Sequence, residues 1–193
     1  MENQMLRLAL TLAALLTASI AHAHTGVGDT NGFVHGFTHP ISGIDHVLAM
    51  VAVGLWASQL GRPAWWILPI VFPTAMAAGG VLGWLNAPVP AIELGIALSV
   101  LVLGCLIGLS VKPDFRVSVP LVAAFAIFHG YAHGVELPET ASPAAYGSGF
   151  TLATAFLHVS GLAIGWLGTN VGTLVYRVTG VALAMAGFGF LLA

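Results

Sequence analysis

Charged side chains are scarce in this chain of 193 residues. Lysine, arginine, aspartate and glutamate together make up 6% of it, whereas hydrophobic residues make up 58%. Soluble domains contain about 25% charged residues, so this composition excludes an ordinary soluble fold. The formal net charge of −2 at pH 7 provides no basic surface for a nucleic-acid partner. We therefore predict an all-α, polytopic membrane helix bundle surrounded by the lipid bilayer.

Sulfur ligands and nucleotide-binding loops are also lacking. The single cysteine, Cys105, can form neither an internal disulfide nor a thiolate metal cage. Its position within an apolar run predicts a buried, small hydrophobic residue. No G-x-x-x-x-G-K-[ST] loop occurs, so we expect no bound nucleotide.

The N-terminal segment has the pattern of a secretory signal peptide. Arg7 precedes an apolar core at residues 8–20, which is shorter than the span of about 20 residues that a bilayer needs. Ala21 and Ala23 supply the small residues of a cleavage site. We predict a signal peptide at residues 1–23, cleaved after Ala23; the alternative is an uncleaved first helix.

An extracytoplasmic N-terminal segment is predicted at residues 24–40, and its glycine-rich part at 24–38 is typical of a loop. The rest of the chain, at 41–193, is predicted to be a six-helix transmembrane transport domain. Its spans are expected at residues 41–60, 64–85, 91–111, 117–137, 147–168 and 171–193.

The distribution of basic residues predicts the orientation. Arg62, Lys112 and Arg116 lie in the first and third loops between the predicted spans, and the second and fourth loops contain no lysine or arginine. Because basic loops stay in the cytoplasm, the N-terminus after cleavage is expected outside. We predict a multi-pass protein of the bacterial inner membrane with both ends outside.

Two clusters of imidazole and carboxylate groups interrupt the apolar runs, one at residues 39–46 and one at 129–136. The predicted topology places both in the outer half of the membrane. Ionisable side chains are costly in a bilayer, so they are functional candidates there. Imidazole and carboxylate together suit a divalent first-row transition metal. The candidate ligands are His39, Asp45, His46, His129, His133 and Glu136.

Helical spacing suggests how these ligands are arranged. His129, His133 and Glu136 lie at i, i+4 and i+7, which is one helix face. His39 and His46 would share a face if a helix begins near Pro40. Asp45 could bind the metal itself or hold a histidine in one tautomer. We expect His46 and His133 to lie deepest and to form the transit site, with His39 at its mouth.

Five more residues are secondary candidates. A new N-terminal His24 could chelate a metal, and His35 lies just before the mouth. Glu93 could instead be a charge favoured at a helix N-terminus, and His158 could be a hydrogen-bonded packing residue. The complete secondary set is His24, His35, Met50, Glu93 and His158.

Both clusters resemble the signatures of the HupE/UreJ family. The first resemblance covers residues 39–46, with Asp45 directly before His46, and the second covers 128–136. That family is known as bacterial inner-membrane nickel permeases associated with hydrogenase and urease maturation. The resemblance therefore implies uptake of nickel, or of cobalt, and marks the six candidate ligands as the site. The residues alone do not choose between nickel, cobalt and zinc.

The alternative is an intramembrane zinc-dependent hydrolase. The same cluster would then hold Zn²⁺ permanently and activate a water molecule. A permease needs ligands that exchange, because a closed cage would trap the ion. We expect the permease, not an enzyme, with no permanently bound cofactor and with the nickel ion as substrate; the oligomeric state is left open.

Overall fold

The computed structural model of the protein describes residues 32–137 and 141–193, apart from the side chains of residues 168–171. Within these ranges the chain forms seven helices and no strand, which confirms the prediction of an all-α fold. The predicted signal peptide and His24 lie outside the described residues. The helices are α1 (Gly32–Ser42), α2 (Ile44–Leu60), α3 (Ala64–Trp84), α4 (Ile92–Gly108), α5 (Phe115–Val135), α6 (Pro143–Val171) and α7 (Leu174–Leu192).

Helix length and composition identify the candidate membrane crossings. Helices α3, α5, α6 and α7 are each long and apolar enough to span a bilayer. Helices α1 and α2 add a fifth crossing if they form one span, although they are bent by 83° at the break between them. Helix α4 is apolar but has only 17 residues, at the lower limit for a spanning helix. The fold is that of a multi-pass membrane protein, and six crossings stay a prediction.

The start of the bundle corrects one sequence prediction. Residues 24–38 were expected to form a loop, but the chain is helical from Gly32 onward. Tertiary contact outweighs the low helix propensity of glycine here. Gly36 lies directly against the backbone of Tyr146 in α6, where a Cβ would collide with the carbonyl oxygen. The contact with α6 therefore stabilises a helix that its own residues do not favour.

The first predicted span, at 41–60, is also not one continuous helix. The chain is extended at Gly43, between α1 and α2. Pro40 consequently lies near the end of α1 instead of opening the next helix. His39 and His46 are carried by different helices, so the prediction that they share one helix face is wrong.

Helix α2 is the central helix of the bundle. It packs against α3, α4 and α6. A helix that is apolar on all sides is expected to be buried, and α2 has this composition. Burial of α2 fixes the position of its first turn, which carries part of the first cluster. Its fully buried side chains are Ala49, Met50, Ala52, Val53, Leu55, Trp56 and Ala57.

The periphery of the bundle is apolar, as a bilayer requires. Ile70, Phe156 and Met185, on three different helices, are each more than half exposed. Cys105 on α4 is also exposed, so the prediction of a buried cysteine is wrong. Because α4 is apolar on all sides, the sequence does not indicate which of its faces points inward.

Glycines bring α3 and α5 into close contact. A Cβ at Gly130 of α5 would collide with the carbonyl of Met76 on α3, and a Cβ at Gly134 would meet the same helix. Small residues at such crossings let two backbones approach closely. Each glycine directly follows a histidine, and neighbouring residues project about 100° apart on a helix. While the glycines contact α3, the rings of His129 and His133 therefore lie beside α2.

Candidate metal site

The first turn of α2 holds a carboxylate and an imidazole in a fixed relation. One oxygen of Asp45 accepts a hydrogen bond from the backbone N–H of His46 and lies 2.8 Å from Nδ1 of the same ring. Nδ1 therefore carries the proton, and the lone pair is on Nε2, which is buried without a partner. A Cβ at Gly43 would lie 2.9 Å from the carboxylate oxygen, so glycine leaves room for the pair. Of the two roles predicted for Asp45, this geometry favours orienting His46.

His129 is held in the same way by a residue that the sequence analysis missed. Its Nε2 lies 2.9 Å from the hydroxyl oxygen of Ser99 on α4. The Ser99 hydroxyl donates to the carbonyl of Ile96 at 2.6 Å, so it accepts from the ring N–H. The lone pair of His129 is then on Nδ1, which is buried without a partner. The only sequence signal for Ser99 is a hydroxyl within an apolar run.

A second acidic group lies just beyond the end of α5. The carboxylate of Glu136 is 2.8 Å from Nε2 of His39 and 3.7 Å from Nδ1 of His133. One ligand atom from each of these three residues lies within 4.8 Å of the others. The adjacent imidazoles of His133 and His39 hold the pKa of Glu136 well below its usual value, so it is ionised at neutral pH. Its side chain is 56% exposed, which makes it the outermost ligand of the group.

The imidazoles form a continuous row. The centroids of the His39 and His133 rings are 4.9 Å apart, and those of His133 and His46 are 4.3 Å apart. His46 lies 4.8 Å from His129, again with the rings edge to face. His35 extends the row outward, 5.5 Å from His39. The row joins α1, α2 and α5, and it runs from a partly exposed end to the fully buried His129.

Comparison with known proteins identifies the family. The family described as HupE / UreJ protein matches residues 12–190 of the chain. This chain belongs to the HupE/UreJ family. Protein HupE of Rhizobium leguminosarum bv. viciae is 47% identical over 182 residues, which cover 94% of this chain and 95% of that protein. No solved structure matches the chain.

The fold brings the two HupE/UreJ signatures together as one cluster. All six predicted ligands belong to it, but their relative depth differs from the prediction. His129 is fully buried, whereas His133 and His46 are 6% and 9% exposed. The expectation that His46 and His133 lie deepest is therefore wrong, because α5 carries His129 one turn further into the bundle.

The secondary candidates of this HupE/UreJ protein are more widely spread. His35 belongs to the row, and Met50 is fully buried one turn beyond His46. His158 is fully buried on α6, outside the row. Glu93 is exposed in the first turn of α4, and no hydrogen bond or ion pair joins it to the described histidines.

The ring nitrogens of the row are available to a ligand. Nε2 of His46, Nδ1 of His129 and both nitrogens of His133 are buried and have no hydrogen-bond partner in the described part of the chain. A buried polar group without a hydrogen-bond partner destabilises the fold, so several such groups in one place indicate a binding site for a ligand. A cavity of about 260 Å³, lined mainly by apolar side chains of α3, α5 and α6, lies beside His133. The arrangement suits a divalent transition-metal ion that exchanges water for imidazole.

Proposed function

We propose that this HupE/UreJ protein is a permease that imports Ni²⁺ across the bacterial inner membrane through the row of histidines. The observation that carries the proposal is the gradient along the row. It begins at the exposed Glu136 carboxylate and ends at the fully buried His129, with unpaired ring nitrogens on the way. A site that only stored a metal would not need ligands arranged from the surface inward.

Capture begins at the outer end of the row. Glu136 is ionised and attracts a hydrated cation, and His39 offers the first imidazole beside it. His133 and His46 then replace water molecules as the ion moves inward. Because α1, α2 and α5 carry these ligands separately, small helix movements can loosen the coordination and let the ion leave.

The energy source in this proposal is the metal gradient or the membrane potential. The sequence contains no P-loop for ATP, so downhill facilitated uptake is the simplest mechanism. The choice of nickel, or of cobalt, and the supply of metal for hydrogenase or urease maturation follow from what the family is known for. Imidazole and carboxylate ligands are compatible with nickel but do not select it.

Uptake of radiolabelled nickel by nickel-starved cells tests the proposal. Cells that express the protein should accumulate nickel faster than cells with the empty vector, and excess magnesium should not compete. Excess cobalt and zinc, added separately, measure selectivity. Expression without any gain in nickel uptake would contradict the proposal.

Metal content after purification separates the permease from the zinc hydrolase. Exchangeable ligands should release the ion on prolonged dialysis, so we expect much less than one metal ion per chain. A stoichiometric zinc ion that survives dialysis, together with a hydrolytic activity, would favour the enzyme.

A further inference from the structure

A second group of polar side chains is buried in the bundle outside the histidine row. His158 on α6 is fully buried, and neither of its ring nitrogens has a hydrogen-bond partner in the described part of the chain. Thr154 lies one turn earlier on the same helix face and is also fully buried. Its hydroxyl oxygen likewise has no partner among the described residues.

The free hydroxyl of Thr154 differs from the hydroxyls of two other helical threonines. The hydroxyls of Thr74 and Thr151 each donate to the carbonyl one turn earlier in their own helix, at 2.7 Å. Such bonding is the common way to satisfy a threonine within a helix. Thr154 does not make this bond, so its oxygen remains available to a ligand.

The backbone carbonyl of Pro69 on α3 offers an oxygen ligand close to His158. Pro73 has no N–H, so the carbonyl of Pro69, one turn earlier in α3, lacks its intrahelical partner. His158 interacts with this carbonyl without completing a hydrogen bond of good geometry. The His158 imidazole and the freed Pro69 carbonyl are therefore close to each other, and the Thr154 hydroxyl lies one turn from His158 on α6.

One aromatic ring contacts both this group and the histidine row. The centroid of Phe72 lies 5.7 Å from that of His129 and 5.2 Å from that of His158. Phe72 is fully buried, as are both histidines. The two polar groups are therefore linked through contacts with one shared side chain.

Packing alone does not explain an unpaired imidazole and an unpaired hydroxyl at adjacent buried positions. Each such group loses its hydrogen bonds to water on burial, which destabilises the folded protein unless a partner replaces them. Alanine, valine or leucine would fill the same space without that cost. A bound ligand that accepts electron pairs from nitrogen and oxygen would offset it.

We propose that His158 and Thr154, with the Pro69 carbonyl, form a second, inner binding site for a divalent first-row transition-metal ion. This inference rests on the proposed function, because the inner site would be the next site to bind an ion that leaves His129. It has one imidazole and no carboxylate, so it binds the ion more weakly than the row does. A weak site on the inner side favours forward transfer and release.

Metal binding tests the inner site independently of transport. Full-length protein in lipid nanodiscs is dialysed against increasing Ni²⁺, and the bound metal is measured per chain. His158→Gln should remove the weaker class of bound Ni²⁺ and leave the affinity of the tighter class within about twofold, because the row is untouched. Thr154→Val, which keeps the side-chain volume, should weaken the same class about threefold to tenfold, the effect expected for one lost neutral ligand.

Thr74→Val is the matched control, because Thr74 is exposed on α3 and its hydroxyl is satisfied by its own helix. It should bind Ni²⁺ as the unmodified protein does. If His158→Gln does not fold, Thr154→Val alone decides the matter. Unchanged number and affinity of bound Ni²⁺ in the folded variants would overturn the inner site.

Uptake into liposomes that contain the same proteins separates this inference from the proposed function. If the unmodified protein imports Ni²⁺, His158→Gln should lower the maximal rate about tenfold or more, because a required step is slowed. An unchanged maximal rate would overturn the inner site while the permease function stands. If the unmodified protein imports no Ni²⁺, the proposed function fails, and loss of the weaker class of bound ion in His158→Gln would still support an inner metal site.

Discussion

At the scale of single residues, two of the more deeply buried histidines of the row have one ring nitrogen held by a neighbouring side chain and the other free. The Asp45 carboxylate holds His46, and the Ser99 hydroxyl holds His129. A histidine that binds a metal usually donates its other N–H to such a partner, which fixes the tautomer and the ring orientation. The free lone pairs on Nε2 of His46 and Nδ1 of His129 therefore belong to rings whose orientation is already fixed before a metal binds.

Removal of the Ser99 hydroxyl should slow nickel uptake. Ser99→Ala leaves the N–H of His129 buried without an acceptor, so the ring is free to change tautomer. Because His129 is the innermost histidine of the row, we expect the maximal rate of uptake to fall about tenfold or more, the usual effect of losing such a partner. The control is Ser160→Ala, because Ser160 is partly buried on α6 and its hydroxyl donates to its own helix at Phe156. Equal effects of the two substitutions would show that orientation of His129 does not matter.

Acidification outside should slow uptake. An imidazole binds metal only when it is neutral, and its ordinary pKa is about 6.5. As the external pH falls from about 7.5 to about 5.5, protons compete with nickel for any ring nitrogen that water reaches, and a charged ring repels the cation. Glu136 stays ionised over this range because its pKa is lowered, so the loss reports on the histidines.

The measurement is the initial rate of uptake at a fixed free nickel concentration and a fixed membrane potential. A decrease toward low pH is the expected outcome. A rate that increases as the outside becomes more acidic would instead indicate that protons drive nickel import.

At the scale of helices, local signals predicted most boundaries. Gly61 and Pro63 end α2 and precede α3, and Asp114 caps α5 by accepting from the Arg116 N–H at 2.8 Å. Such helix ends can be predicted from the sequence because the residues that cause them lie within one turn of the boundary. The five later predicted spans consequently agree with the observed helices to within about one turn.

Contacts between distant segments could not be predicted in the same way. Helix α1 depends on packing against α6, and the break at Gly43 makes room for the pair of Asp45 and His46. His39 and Glu136 meet although 97 positions separate them. Helical spacing predicted which ligands share a face of one helix, but not which helix faces pack together. It also gave no sign that Ser99 contacts the site.

The close crossing of α3 and α5 should be sensitive to a single methyl group. Gly130→Ala would place a Cβ against the Met76 carbonyl and force the helices apart. We expect a loss of stability of about 1–3 kcal/mol, because backbone atoms cannot yield as a flexible side chain can. Thermal unfolding of purified protein measures the loss, and nickel uptake should fall as His129 and His133 move away from α2.

Gly189→Ala on α7 is the matched control, since no atom of another helix in the described part of the chain lies within 4 Å of the added Cβ. It should leave stability unchanged or raise it slightly, because alanine favours a helix more than glycine does. If both substitutions lower the unfolding temperature equally, the crossing does not depend on close backbone contact.

At the scale of the whole molecule, the two ends of the bundle differ in chemistry. One end carries the histidines and carboxylates of the row. At the other end a cavity of about 390 Å³ is lined by Ser58, Gln59, Ser110, Lys112, Gly172, Thr173 and Tyr176. None of these residues is an imidazole or a carboxylate, and Lys112 repels a cation. The described residues that line this cavity therefore offer no strong ligand to a divalent cation, which favours release of an ion there.

The difference between the ends agrees with the orientation predicted from basic residues. Arg62, Lys112 and Arg116 lie at the end away from the row, on the side that the positive-inside rule assigns to the cytoplasm. The strong ligands would then face the outside, where the proposed function requires the ion to be captured. The weak ligands would face the cytoplasm, where the metal must be given up.

The central claim is that every transported ion passes His46 and His133, and reconstituted protein tests it most directly. Liposomes that contain a nickel-sensitive dye are prepared with the unmodified chain, His46→Ala, His133→Ala or His35→Ala, each checked for folding by thermal unfolding. Loss of an inner ligand should abolish uptake even at saturating nickel. Loss of His35 should raise the half-saturating concentration and leave the maximal rate nearly intact, because excess metal offsets weaker capture. Normal maximal rates in well-folded His46→Ala and His133→Ala proteins would show that the row is not the permeation path.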